Sequence, residues 1–172
     1  MISDKMLQEN IELHRHGYGG GGYKWADRLN ALIDNSHINS VLDFGCGEGT
    51  LAPKLNCKVY EYDPAIPGKD TFPRKQPDSS GKQYDLVIAT DVLEHIEPEY
   101  LHEVLSTIST YGEWAFLSIA TRPSNKYLSD GRNCHLILED GDWWRAELEQ
   151  FFTKVFPEQP MRKNEVVFLC QT

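Results

Sequence analysis

Residues 41–50, VLDFGCGEGT, constrain the fold more than any other stretch of this 172-residue chain. An apolar run carrying one acid, Asp43, passes into Gly45, Gly47 and Gly49, so a buried strand must run into a tight loop. Glycines in such a loop let backbone approach a ligand closely, because no Cβ intervenes. The spacing argues against one ligand class: a pyrophosphate-binding G-x-G-x-x-G would want glycine at position 50, and this chain has Thr50.

Around that loop, apolar runs alternate with helical ones: VLDF, then TLAPKL, KVYEYD, YDLVIA, a helix after Pro98, and EWAFLSIA. The alternation predicts an α/β fold, a doubly wound and mostly parallel sheet with helices on both faces. Leu101, Val104, Leu105 and Ile108 share one helical face, and Pro98 suits the first turn. Residues 64–83 carry four prolines and no apolar period, so a long loop is expected to replace the second crossover helix. A helix over about residues 142–152 and a strand EVVFLCQT, antiparallel at or near the edge, complete the sheet. Ahead of the sheet, Ser3 caps an expected helix over residues 3–15. A glycine-rich segment, 17–22, and a second helix in YKWADRLNALI follow. We read residues 1–172 as one domain in which 1–35 form a helical cap with a glycine-rich lid.

Composition narrows the function classes. No apolar run approaches the roughly 20 residues needed to span a bilayer, and the charged start lacks a secretory stretch, so a cytoplasmic protein is expected. Cys46, Cys57, Cys134 and Cys170 form no CxxC pair and read as free thiols. A net charge of −9 works against nucleic acid as a partner.

The motif hydrophobic-Asp-hydrophobic-Gly-x-Gly-x-Gly, followed by EYDPA and YDLVIATDVLEHIEP, resembles motif I and its successors in class I S-adenosylmethionine-dependent methyltransferases. The resemblance covers roughly residues 41–140 and is greatest to small-molecule O-methyltransferases of the ubiquinone-biosynthesis type. It implies a Rossmann-like fold with S-adenosylmethionine as cofactor. By position, Asp43 would orient the methionine ammonium through water, backbone at Gly45, Cys46 and Gly47 would line the cofactor, and Asp63 would hold the ribose hydroxyls. Asp91 and Val92 would flank it. Tyr62 and Phe72 are candidates for the adenine wall.

Asp91, Glu94 and His95 form a D-x-x-E-H element, which on a helix starting near Asp91 would set all three side chains on one face. It resembles the E-x-x-E-H element of ubiquinone-biosynthesis O-methyltransferases and small-RNA 2′-O-methyltransferases, where a divalent metal is completed by a later histidine. His135 lies in the matching region, so Asp91, Glu94, His95 and His135 are candidate ligands. Two carboxylates and two imidazoles suit Mn²⁺, Fe²⁺ or Zn²⁺ at least as well as Mg²⁺. Without a metal, His95 or His135 would serve as general base.

The expected activity is methyl transfer to a small hydroxyl-bearing acceptor. The alternatives are an RNA 2′-O-methyltransferase and a noncatalytic S-adenosylmethionine-binding module. Arg122, Lys126 and Arg132, in TRPSNKYLSDGRN, could face an anionic or polyhydroxyl acceptor. The other histidines, His14, His16, His37 and His102, have no partner at ligand spacing.

Overall fold

Six strands form one sheet in the computed structural model, which describes every residue except Met1, Asp78 and Ser80. They are β1 (Ser40–Phe44), β2 (Lys58–Tyr62), β3 (Tyr84–Thr90), β4 (Gly112–Ala120), β5 (Lys154–Glu158) and β6 (Glu165–Gln171), in the order β2-β1-β3-β4-β6-β5. The first four run parallel, while β6 is antiparallel to both β4 and β5. β1 and β3 lie on opposite sides of a change in winding direction, where the carboxyl ends of parallel strands open a crevice.

Helices cover both faces. Val41, Leu86, Ile88 and Phe116 point to one face and pack on Leu29 and Ile33 of α2 (Ala26–Ser36). Leu42, Val87, Ala89 and Leu117 point to the other, against α3 (Leu101–Tyr111) and α4 (Gly141–Leu148). Trp144, wholly buried, anchors α4 in that layer, while its neighbour Trp143 is only partly buried. Consecutive tryptophans on a helix must diverge. α2 therefore belongs to a layer of the sheet, and of residues 1–35 it is α1 (Asp4–Arg15) and the glycine-rich segment after it that line the cavities at the carboxyl ends of the strands.

The expected helix in TLAPKL is a single 3₁₀ turn, Ala52–Lys54. Pro53 has no amide hydrogen and biases Ala52 away from helical backbone. Residues 64–83 hold no helix among the described residues, as their prolines require. β5 escaped the sequence reading because only Val155 of its five residues is buried. Its Pro157 is tolerated at a sheet edge, where β5 pairs with β6 alone. All four cysteines are free. Among the described residues, no helix is long and apolar enough to cross a membrane.

Candidate functional site

The loop leaving β1 is pinned to the end of β2, since the amides of Gly45 and Cys46 both donate to the Tyr62 carbonyl, at 2.7 and 3.1 Å. Gly45 and Gly47 adopt φ of 75° and 52°. A side chain at Gly45 would collide with Val92, and one at Gly47 with the Gly19 backbone. The glycines thus serve two ends, left-handed backbone and close approach of two neighbouring segments.

Asp63 follows β2 and turns inward. Its Oδ2 accepts from the Gly47 amide at 3.0 Å and its Oδ1 from the Ala65 amide at 2.9 Å. His14, on α1, stands with Nε2 3.7 Å from the same Oδ2. Asp43 is buried beneath the loop, and desolvation, with the Glu61 and Asp63 charges adding and Lys69 opposing, pushes its carboxyl up to about 7. Lys69 meanwhile pairs with Glu61 at 3.0 Å.

Two cavities open here. One is largely apolar and is lined by Phe44, Tyr62, Asp63, Val92 and His14. The other is polar and is lined by Asp43, Cys46, Thr90, Arg122, Lys126 and His135. Tyr18, Gly19, Gly45 and Asp91 border both, so the two spaces adjoin. Of the adenine-wall candidates, Tyr62 lines the apolar cavity; Phe72 stacks behind it against Phe44, Tyr62 and Tyr111.

α1 closes the apolar cavity from above. The Ser3 amide and hydroxyl donate to the buried Glu97 carboxylate at 2.8 and 2.7 Å, Met6 packs with Leu128 and Cys134, and the Ser129 amide donates to Glu9 at 2.8 Å. The glycine-rich segment continues across the β1 loop. Thr50 Oγ1 donates to the Gly20 carbonyl at 3.2 Å, and the Tyr23 amide donates to Thr50 Oγ1 at 3.3 Å. Tyr18 descends from it, its hydroxyl 3.1 Å from His95 Nε2.

The D-x-x-E-H element is not a helix from Asp91 onward. Asp91 takes left-handed backbone at φ 55°, and only Leu93–His95 make a 3₁₀ turn. The one-face argument therefore fails for Asp91, which is exposed and stands outside the cluster that forms. Glu94, His95 and His135 each offer one ligand atom, all within 4.8 Å of one another. The candidate four-residue ligand set is thus reduced to three.

The second partners of these groups fit a cation. His95 Nδ1 donates to the Cys134 carbonyl at 2.8 Å, and His135 Nδ1 to the Arg122 carbonyl at 2.6 Å, so each neutral ring has its lone pair on Nε2; that of His95 accepts the Tyr18 O–H, which an ion bound there would displace. Glu94 is fully buried; Oε1 accepts from the Ala120 amide at 2.8 Å, while Oε2 has no hydrogen-bond partner among the described residues. An orphaned buried carboxylate oxygen facing two imidazole lone pairs is the donor set a divalent ion would complete. Burial, reinforced by Asp91, pushes the Glu94 carboxyl up to about 8. Burial, then the His135 ring, pushes His95 down to about 3, and burial lowers His135 as well.

His14, Tyr18 and Glu97 escaped the sequence reading. Each meets its partner across long sequence separations, 77 residues for Tyr18 and 94 for Glu97. The only sequence signal was the His14-x-x-x-Tyr18 pair standing just before the glycine run.

Comparison with known proteins bears on the fold. A search of curated proteins by sequence finds no match. Among solved structures, the chain resembles the Burkholderia thailandensis 1,6-didemethyltoxoflavin-N1-methyltransferase, bound to 1,6-didemethyltoxoflavin and S-adenosylhomocysteine. The TM-score is 0.66 at 12% identity, over 97% of this chain and 87% of that one. The N-terminal domain of EvdMO1, in the presence of S-adenosylhomocysteine and D-fucose, matches with a TM-score of 0.54 at 13% identity, over 99% and 98%. The mitomycin 7-O-methyltransferase MmcR matches with a TM-score of 0.61 at 14% identity, and this chain covers 97% of itself but only 60% of that enzyme. The family model described as a methyltransferase domain matches residues 14–162. By that match, with the fold and the glycine loop it contains, the chain belongs to the class I S-adenosylmethionine-dependent methyltransferase family.

Proposed function

We propose that residues 1–172 act as one methyltransferase domain that moves the S-adenosylmethionine methyl group to a hydroxyl oxygen of a small acceptor. The observation that carries this reading is the polar cavity, whose wall is shared by the glycine loop at Asp43, Gly45 and Cys46 and by His135. In-line transfer needs cofactor and nucleophile side by side and shielded from water, and adjoining cavities under a closed cap supply that arrangement. In this reading Asp63 holds the ribose hydroxyls and Asp43 faces the methionine ammonium. Gly45, Cys46 and Gly47 give backbone contacts, and Asp91 and Val92 flank the cofactor.

A hydroxyl must lose its proton to attack, whereas a neutral amine already carries its lone pair. A neutral imidazole lining the acceptor space, His135, with the His95 ring packed against it, favours the oxygen acceptor. His135 is the base of the pair: both rings donate Nδ1–H to a carbonyl, but His95 Nε2 accepts the Tyr18 O–H, whereas His135 Nε2 is left for the proton. His95, held near 3, positions its neighbours and does not retain a proton at neutral pH. Glu94, His95 and His135 would hold a divalent ion, which when bound lowers the pKa of a hydroxyl it contacts. Arg122 and Lys126 at the rim suit a polar acceptor over an apolar one.

The test is transfer from methyl-labelled S-adenosylmethionine to paired acceptors, phenols, catechols and sugars against their amine counterparts. Labelled ethers are expected, and His135→Ala should abolish them. Exclusive N-methylation overturns the oxygen assignment, and cofactor binding with no product from any acceptor supports the noncatalytic module instead.

A further inference from the structure

Asp63 and His14 come from distant parts of the chain, yet their side chains meet at the wall of the apolar cavity. The Nε2 to Oδ2 distance of 3.7 Å is too long for a direct hydrogen bond. Two polar atoms therefore face one space without satisfying each other. The ring's orientation is fixed from its other side, because Nδ1 lies 2.8 Å from the Tyr18 carbonyl. A carbonyl only accepts, so Nδ1 carries the hydrogen, and in the neutral ring Nε2 presents a lone pair. Asp63 has already given one lone pair of each oxygen to Gly47 and Ala65, which leaves each able to accept once more, and Oδ2 is the one that faces His14.

We propose that His14 completes the ribose clasp, Asp63 Oδ2 and His14 Nε2 each accepting one hydroxyl hydrogen of the cofactor's vicinal diol. The proposal rests on the cofactor reading above and extends it to a residue of the cap. A diol has two hydrogens to donate, and a pair of separate acceptors takes both where a single carboxylate oxygen would take one. The same imidazole holds the Tyr18 carbonyl, and the Tyr18 hydroxyl meets His95. Filling the ribose site would therefore fix the segment that closes over the acceptor space, so that cofactor binding orders the cap.

The experiment is calorimetric titration with S-adenosylhomocysteine and its 2′-deoxy and 3′-deoxy analogues, against wild type, His14→Ala, His14→Gln and Asp63→Ala. His14→Ala should weaken S-adenosylhomocysteine about three- to tenfold, the loss expected for one hydrogen bond. His14→Gln, which keeps an acceptor, should recover most of it. The loss should vanish for whichever deoxy analogue lacks the hydroxyl that His14 receives. α1 stays anchored in both variants through Ser3 and Met6, so folding is preserved. S-adenosylhomocysteine should also slow chymotryptic cleavage after Tyr18 in wild type and fail to do so in His14→Ala. Unchanged affinity in His14→Ala, or an equal loss for all three ligands, overturns the clasp. No binding to the wild-type protein overturns the cofactor reading itself, and a loss confined to Asp63→Ala overturns only the part assigned to His14.

Discussion

The Tyr18 hydroxyl lies 3.1 Å from Nε2 of His95, with the two rings edge to face at 5.6 Å, and this contact ties the glycine-rich segment to the Leu93–His95 turn. His95 Nδ1 already donates to the Cys134 carbonyl, so the Tyr18 O–H is the donor here. Burial pushes the Tyr18 phenol up to about 12, which keeps it protonated for that role.

Removing the hydroxyl should loosen the cap without emptying the cofactor site. Tyr18→Phe keeps the ring and loses one hydrogen bond of about 0.5–1.5 kcal/mol. Turnover should fall by up to about tenfold, with S-adenosylhomocysteine affinity changing less than about threefold. Limited proteolysis of the 16–24 segment alongside steady-state kinetics checks this. Unchanged turnover and unchanged cleavage would remove Tyr18 from the account.

The proposed site of Glu94, His95 and His135 predicts divalent ion binding. Mn²⁺ or Zn²⁺ titrated into the protein should bind at one site, and His135→Ala or Glu94→Gln should abolish or sharply weaken it while sparing S-adenosylhomocysteine. A chelator should then slow transfer without releasing cofactor. Equal metal affinity in both variants would leave a metal-free His135 base.

A pH dependence follows from Asp43, which faces Glu61, Asp63 and Lys69. Its folded carboxyl, at about 7, lies above the unfolded range, so between those values the folded chain holds the extra proton. Stability from this group is fully present below the unfolded carboxylate range and is lost as pH rises through about 7. With Asp43 facing the ammonium as proposed, cofactor binding would run the other way, since the ammonium needs the anion. S-adenosylhomocysteine affinity should drop by up to about tenfold per pH unit below about 7. Asp43→Asn should flatten that profile, weaken binding at pH 8 and raise thermal stability more at pH 8 than at pH 5. A profile unchanged by Asp43→Asn contradicts the ammonium assignment.

Much of this fold was legible because burial wrote it into the sequence. VLDFG, YDLVIA and EWAFLSIA are buried on both faces and read as apolar runs, and β2 was marked by the acid that follows it. β5 was hidden because one residue, Val155, carries its burial. The loop was legible where local backbone dictated residue type, at Gly45 and Gly47, and Asp63, expected at the end of β2, stands there and accepts from the Gly47 amide. The site was illegible where the tertiary fold makes the contact. Asp91 was placed on a helix face that its left-handed backbone forbids. His14 was set aside for want of a local partner, although its neighbour is Asp63 on the far side of the sheet's first crossover.

Titration of S-adenosylhomocysteine and of NAD⁺ into wild type and Asp63→Ala decides whether the glycine loop and Asp63 hold the S-adenosyl group. Hydrogen bonds to a charged carboxylate contribute roughly 1.5–3 kcal/mol each. The wild-type chain should bind S-adenosylhomocysteine at a single site and ignore NAD⁺, and Asp63→Ala should weaken the former about tenfold or more. Superimposable curves for the two proteins, or binding of NAD⁺ in preference, would contradict that assignment.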